Sequence, residues 1–127
     1  MITYIQCVTS KAELSIREFR EQWEKYGRLA EALADETGAV GLFMNTTLQV
    51  EENLEVRLNR GTAEPFDGVL KFCWSNAAGL DEILQQEEPA RLLAELRSHQ
   101  EKFMDLDRSS FFFASQQPLR GATLFSE

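Results

Sequence analysis

The sequence predicts an α+β domain of the split β-α-β type, and three observations carry that reading. Strand and helix patterns follow one another as strand, helix, strand, short helical turn, strand, helix, strand along 127 residues. The strands are rich in β-branched and aromatic residues, whereas the helical stretches repeat apolar residues at three- and four-residue spacing. No repeat, low-complexity run or linker divides the chain, so a single domain is expected. This order folds into a four-stranded antiparallel sheet with its helices on one face, the ferredoxin-like arrangement.

Residues 2–9 read as the first strand. The first helix opens at Leu14-Ser15-Ile16-Arg17-Glu18-Phe19, where Ser15 and Glu18 have capping-box spacing and Leu14 and Phe19 have hydrophobic-staple spacing. It runs to about residue 35 with Phe19, Trp23, Tyr26, Ala30 and Leu33 along one face. Gly38 and Gly41 lead into a second strand over about residues 40–50. A short helical turn over about residues 53–59 then places Val50, Leu54 and Leu58 on a common face before Gly61. After Pro65-Phe66, the turn pair Asp67-Gly68 opens a third strand over residues 68–74. Ser75 or Asn76 is placed to cap the next helix, which carries Leu80, Ile83 and Leu84. Pro89 fits the first turn of a further segment with Leu92, Leu93, Leu96 and Phe103 as its apolar side. An aromatic strand over about residues 110–115 follows, and the domain is expected to span 1–118 with a tail over 119–127.

A formal net charge of -8 argues against nucleic-acid binding, which demands concentrated lysine and arginine. No apolar stretch reaches membrane-spanning length and no signal-peptide pattern precedes the first strand, so a cytoplasmic protein without membrane contact is expected. Cys7 and Cys73 lack metal or redox spacing and read as buried, reduced thiols. With one histidine in the chain, no metal site is expected. Nucleophilic-triad and phosphate-loop spacings are also missing.

Period-two alternation divides the third strand into Val69, Lys71 and Cys73 against Leu70, Phe72 and Trp74. The wholly apolar set suits the helices, which leaves Lys71 facing away from them. In the first strand, Gln6 marks Tyr4, Gln6 and Val8 as the set expected on that same uncovered face. Apolar residues on both sides of the strands leave a face in want of an apolar cover, and a second copy of the sheet supplies one. Lys71 is the candidate catalytic residue. It reads as a base or as the electrostatic partner of a carboxylate or enolate; alternatively its stem lies on apolar surface while the ammonium reaches water or a glutamate. Tyr4, Gln6, Trp23, Tyr26 and Asn45 join it as ligand-binding candidates. The two tyrosines serve either to orient a substrate carbonyl or as core aromatics with satisfied hydroxyls. Gln6 and Asn45 bind a ligand or pair with each other. His99 is expected on the surface, and Asp105 with Arg108 suits an ion pair or a helix-end contact.

The chain also resembles the EthD-like family of dimeric α+β barrel proteins. The likeness rests on Leu14-Ser15 with Phe19 and Trp23, on Arg60-Gly61 and Glu64-Pro65-Phe66-Asp67-Gly68-Val69, and on Phe103-Met104-Asp105-Leu106 with Arg108-Ser109. It implies a homodimer that handles a small hydrophobic oxygenated metabolite inside its barrel without a cofactor, as an isomerase, lyase or cyclase. Ether-degradation gene clusters gave the family its name, which links it to bacterial catabolism such as that of ethyl tert-butyl ether. Members carry His-x-Pro-Leu after the first-helix tryptophan; here the stretch is Tyr26-Gly27-Arg28-Leu29-Ala30, with Gly27 at the histidine's place. A second histidine common near the Asn45-Thr46 pair is absent too. The alternative is therefore a non-catalytic ligand-binding or accessory protein of a degradation pathway.

Overall fold

Ser15 fixes where the first helix begins. Its hydroxyl accepts the Glu18 backbone N–H while the Glu18 carboxylate accepts the Ser15 N–H, the reciprocal capping box read from the sequence. The helix, α1 (Ile16–Thr37), ends at Gly38, whose φ of 69° is the left-handed conformation that glycine adopts without strain. Phe19, Trp23, Tyr26, Ala30 and Leu33 are all buried, which bears out the face assigned to them. In this computed structural model residues 1–121 are described. Of the expected tail, residues 122–127 lie outside the described part.

The strands are β1 (Ile2–Val8), β2 (Gly41–Thr46), β3 (Gly68–Trp74) and β4 (Ser110–Ser115). They form one antiparallel sheet in the order β2-β3-β1-β4. α1 packs beside α4 (Glu87–Phe103) on one side of the sheet, with the short α3 (Leu80–Leu84) next to them. The core between these layers holds Val8, Leu70, Phe72 and Trp74 from the sheet and Phe19, Trp23, Leu92, Leu96 and Phe103 from the helices.

The second strand is shorter than expected. Val50 takes extended backbone as the N-cap of α2 (Glu51–Arg60), so the chain leaves the sheet after Thr46. Glu51 and Glu52 in the first turn and Arg57 and Arg60 in the last suit the helix dipole, which draws the helix out beyond the short turn expected. None of its residues is buried. The helix expected after Trp74 is also late. Asn76 Oδ1 accepts the Ala78 N–H in a turn, and Gly79, at φ 73°, precedes α3. Pro89 does stand in the first turn of α4.

Register corrects one reading. Residues directly opposed in an antiparallel pair share a face. Tyr4, Gln6 and Val8 oppose Phe72, Leu70 and Gly68, so they face the helices, and Ile5 opposes Lys71 on the other side. Gln6 is polar but belongs to the core, because a buried tyrosine hydroxyl satisfies its amide there.

Gly68 lies under the Trp23 ring. A Cβ there would stand 2.6 Å from that ring, which is itself only 2% exposed and has no room to yield. Gly68→Ala should therefore lower unfolding stability by about 1–3 kcal/mol, the usual cost of overpacking. Urea denaturation measures it, and an unchanged midpoint would contradict this packing.

Candidate functional site

The helix-free face of the sheet carries a single lysine across its middle row. Phe43, Lys71, Ile5 and Phe112 oppose one another in turn across the four strands. The Lys71 Nζ donates to Gln116 Oε1 at 2.8 Å and stands 5.2 Å from the centroid of the Phe43 ring. Its orientation away from the helices is as read from the sequence. No carboxylate among the described residues pairs with this ammonium, although the chain has 21 acidic residues. Asn45 is exposed on the same face, opposite Val69 and two register pairs along from Lys71. Cys7 and Cys73 also belong to this face, and both thiols are free. Burial pushes both thiols above the usual cysteine range; Lys71 pulls Cys73 back, by a smaller effect.

The remaining candidates lie on the other side of the sheet. Tyr26 is completely buried, and its hydroxyl donates to Gln6 Oε1 at 2.6 Å while accepting from Gln100 Nε2 at 2.8 Å. This chain of bonds joins β1, α1 and α4 and satisfies all three side chains. Burial is the main cause that pushes the Tyr26 phenol up from about 10 to about 12. Trp23 Nε1 donates to Thr46 Oγ1 at 3.1 Å, tying α1 to the end of β2. Tyr4 stacks on Phe113 with ring centroids 4.6 Å apart. Gln6 and Asn45 therefore sit on opposite faces and do not pair.

Gln100 was missed in the sequence, although the spacing Leu92, Leu96, Gln100, Phe103 puts it on the buried side of α4. His99 was read as a surface residue; instead it is half-buried, stacked on Tyr26 with centroids 6.1 Å apart and 3.3 Å from the Gln22 carbonyl. Burial holds its pKa below the ordinary histidine value. Arg108 does not pair with the Asp105 side chain: it reaches Glu64, which also takes Arg57. Asp105 makes a helix-end contact through its backbone carbonyl, which accepts the Ser109 hydroxyl.

Gly27 lines a groove of about 530 Å³ between α1 and β2, floored by Leu42, Met44 and Leu70. A Cβ added at Gly27 would meet the Met44 Cε at 2.7 Å, so the thioether fills the space where the resemblance puts an imidazole. Among the described residues no group of His, Cys, Asp or Glu side chains has the geometry to hold a metal ion. No helix among them is long and apolar enough to cross a membrane.

Tyr26→Phe leaves two buried amides short of a partner, which should cost about 1–3 kcal/mol. A phenol whose pKa is raised in the folded state contributes stability below its unfolded pKa and loses it above. Wild-type stability should thus fall between pH 10 and about 12 more steeply than that of Tyr26→Phe. Parallel slopes would contradict the burial. Gly27→Ala, by contrast, crowds only the mobile end of Met44 and removes a helical glycine, so thermal unfolding should show no loss of stability.

No curated protein matches the chain in sequence. Solved structures do match in fold. A dimeric protein of unknown function and ferredoxin-like fold from Bacteroides fragilis aligns with TM-score 0.61 at 8% identity, over 91% of this chain and 95% of its own. HapK from Hahella chejuensis aligns at 0.57 and 11% identity, covering 92% and 93%. SnoaB from Streptomyces nogalater, a cofactor-independent oxygenase in its N63A mutant form, aligns at 0.51 and 14%, covering 94% and 96%. At such identities the likeness speaks for the α+β ferredoxin-like fold. In sequence, the EthD domain model matches residues 11–107, and the chain belongs to that family.

Proposed function

We propose that two copies of this chain close their helix-free sheet faces into a barrel, and that a small hydrophobic oxygenated metabolite binds inside without a cofactor. The observation that carries the reading is the row Phe43, Lys71, Ile5, Phe112, one ammonium set among apolar side chains. Covering such a face with hydrocarbon alone would strand the charge at a cost of several kcal/mol, whereas an anionic or enolisable ligand would match it. The exposed Phe43 and Phe112 offer the apolar contact that a partner sheet needs. The relative from Bacteroides fragilis is dimeric, and SnoaB is a cofactor-independent oxygenase, which supports both parts by likeness of fold.

In this reading Lys71 is an electrostatic clamp for a carboxylate or enolate, and Asn45 adds a polar contact at the same face. The reaction class is isomerase, lyase or cyclase chemistry, in which protons move on the ligand and the developing negative charge rests against the ammonium. A second reading is favoured by Gly27 and Met44, which leave no imidazole beside the groove, and by Tyr26, whose hydroxyl is fully bonded. On that reading the protein binds the metabolite without transforming it, as an accessory protein of a degradation pathway. The domain is proposed to span 1–118.

Light scattering at micromolar concentration should give twice the 14.5 kDa chain mass. A clean monomer would sink the barrel. Lys71→Met should leave the dimer folded and abolish turnover of lactones, ring ketones or ether-derived aldehydes by the wild type. If no such substrate turns over, the binding reading expects the same variant to weaken ligand affinity instead.

A further inference from the structure

Lys71 has an unusual neighbour. In an acidic protein its ammonium is bonded to the neutral amide of Gln116, just beyond β4, and to no described carboxylate. An ammonium only donates, so the amide must present its oxygen to Lys71 and keep its nitrogen elsewhere. Among the described residues that nitrogen, Nε2, reaches the Met1 sulfur at 3.7 Å, a weak acceptor, and no other side chain. The Gln116 backbone N–H separately donates to the Met1 carbonyl at 2.9 Å, which fixes the residue as a continuation of β4. Two donors therefore sit side by side on one face, and each has hydrogen-bonding capacity that no described residue takes up.

We infer that Lys71 and Gln116 form a binding pair for a planar oxyanion, a carboxylate or an enolate, carried on a flat apolar ligand. The inference rests on the reading that the ligand meets this sheet face, and it names Gln116 as the residue that selects the ligand's charged group. One ligand oxygen accepts from Nζ, which still has N–H groups to give. The amide nitrogen reaches the same oxygen or its twin by exchanging the thioether for a charge-assisted bond, the stronger kind. Phe43 and Phe112, either side of Lys71 and Ile5, provide the apolar surface for the rest of the ligand. The bland alternative is that Gln116 merely ties the end of β4 to β3.

Calorimetric binding of 1-naphthoate and of neutral 1-naphthamide separates the two. Wild type should prefer the carboxylate by about tenfold or more, the scale of a charged hydrogen bond. Gln116→Leu should weaken naphthoate about three- to tenfold and leave naphthamide alone, since one donor is lost. Gln116→Glu should remove the preference, because its carboxylate then occupies the ammonium. Circular dichroism and light scattering confirm that each variant keeps its fold and assembly. Equal binding of both probes to wild type, or a Gln116→Leu protein as selective as wild type, overturns the pair while leaving the barrel reading in place. Binding of neither probe overturns both.

Discussion

The Tyr26 hydroxyl holds the layers in register. It sits at the centre of the core between Gln6 of β1 and Gln100 of α4, and both bonds lie well within hydrogen-bonding distance. A buried amide without a partner costs more than a satisfied one gains, so this chain of three side chains discriminates strongly against alternative pairings. Turning β1 over would expose Gln6 and drive Ile5 into the core. It would also uncouple the strand from both long helices. Because side chains alternate along a strand, fixing Gln6 inward fixes Ile5 outward. The ladder then carries that choice across to Lys71 and Phe43.

The two faces that result differ in chemistry. Toward the helices, each indole N–H finds a threonine hydroxyl, Trp23 on Thr46 and Trp74 on Thr37, and no buried side-chain N or O among the described residues lacks a partner. That side is a finished core. The other side pairs an ammonium with a neutral amide among phenylalanine and isoleucine. Beyond the bond between them, Lys71 and Gln116 there retain donors that meet nothing stronger than a thioether among the described residues. A site built from unused donors beside apolar surface is what a small anionic ligand requires.

Much of the fold was legible because local signals agreed with one another. The capping box and the apolar face of α1, the bounds of β4 and the outward turn of Lys71 each followed from spacing alone. What the sequence hid were choices made by tertiary partners. Gln6 looked like a residue for a wet surface, since a strand pattern does not reveal a tyrosine hydroxyl waiting on a helix. His99 looked exposed because its place against Tyr26 comes from the packing of α4 on α1. Gln116 gave no signal, since an amide past the last strand becomes notable only when a lysine 45 residues earlier in the chain reaches it.

In the proposed barrel, Lys71 faces the interior between two sheets. Its rate of acylation, followed by peptide mass spectrometry, tests this directly against Lys25, which is exposed on α1. Lys71 should react far more slowly than Lys25 in concentrated protein and speed up as dilution separates the copies. A Lys71 whose rate is independent of concentration, and matches that of Lys25 throughout, would contradict it.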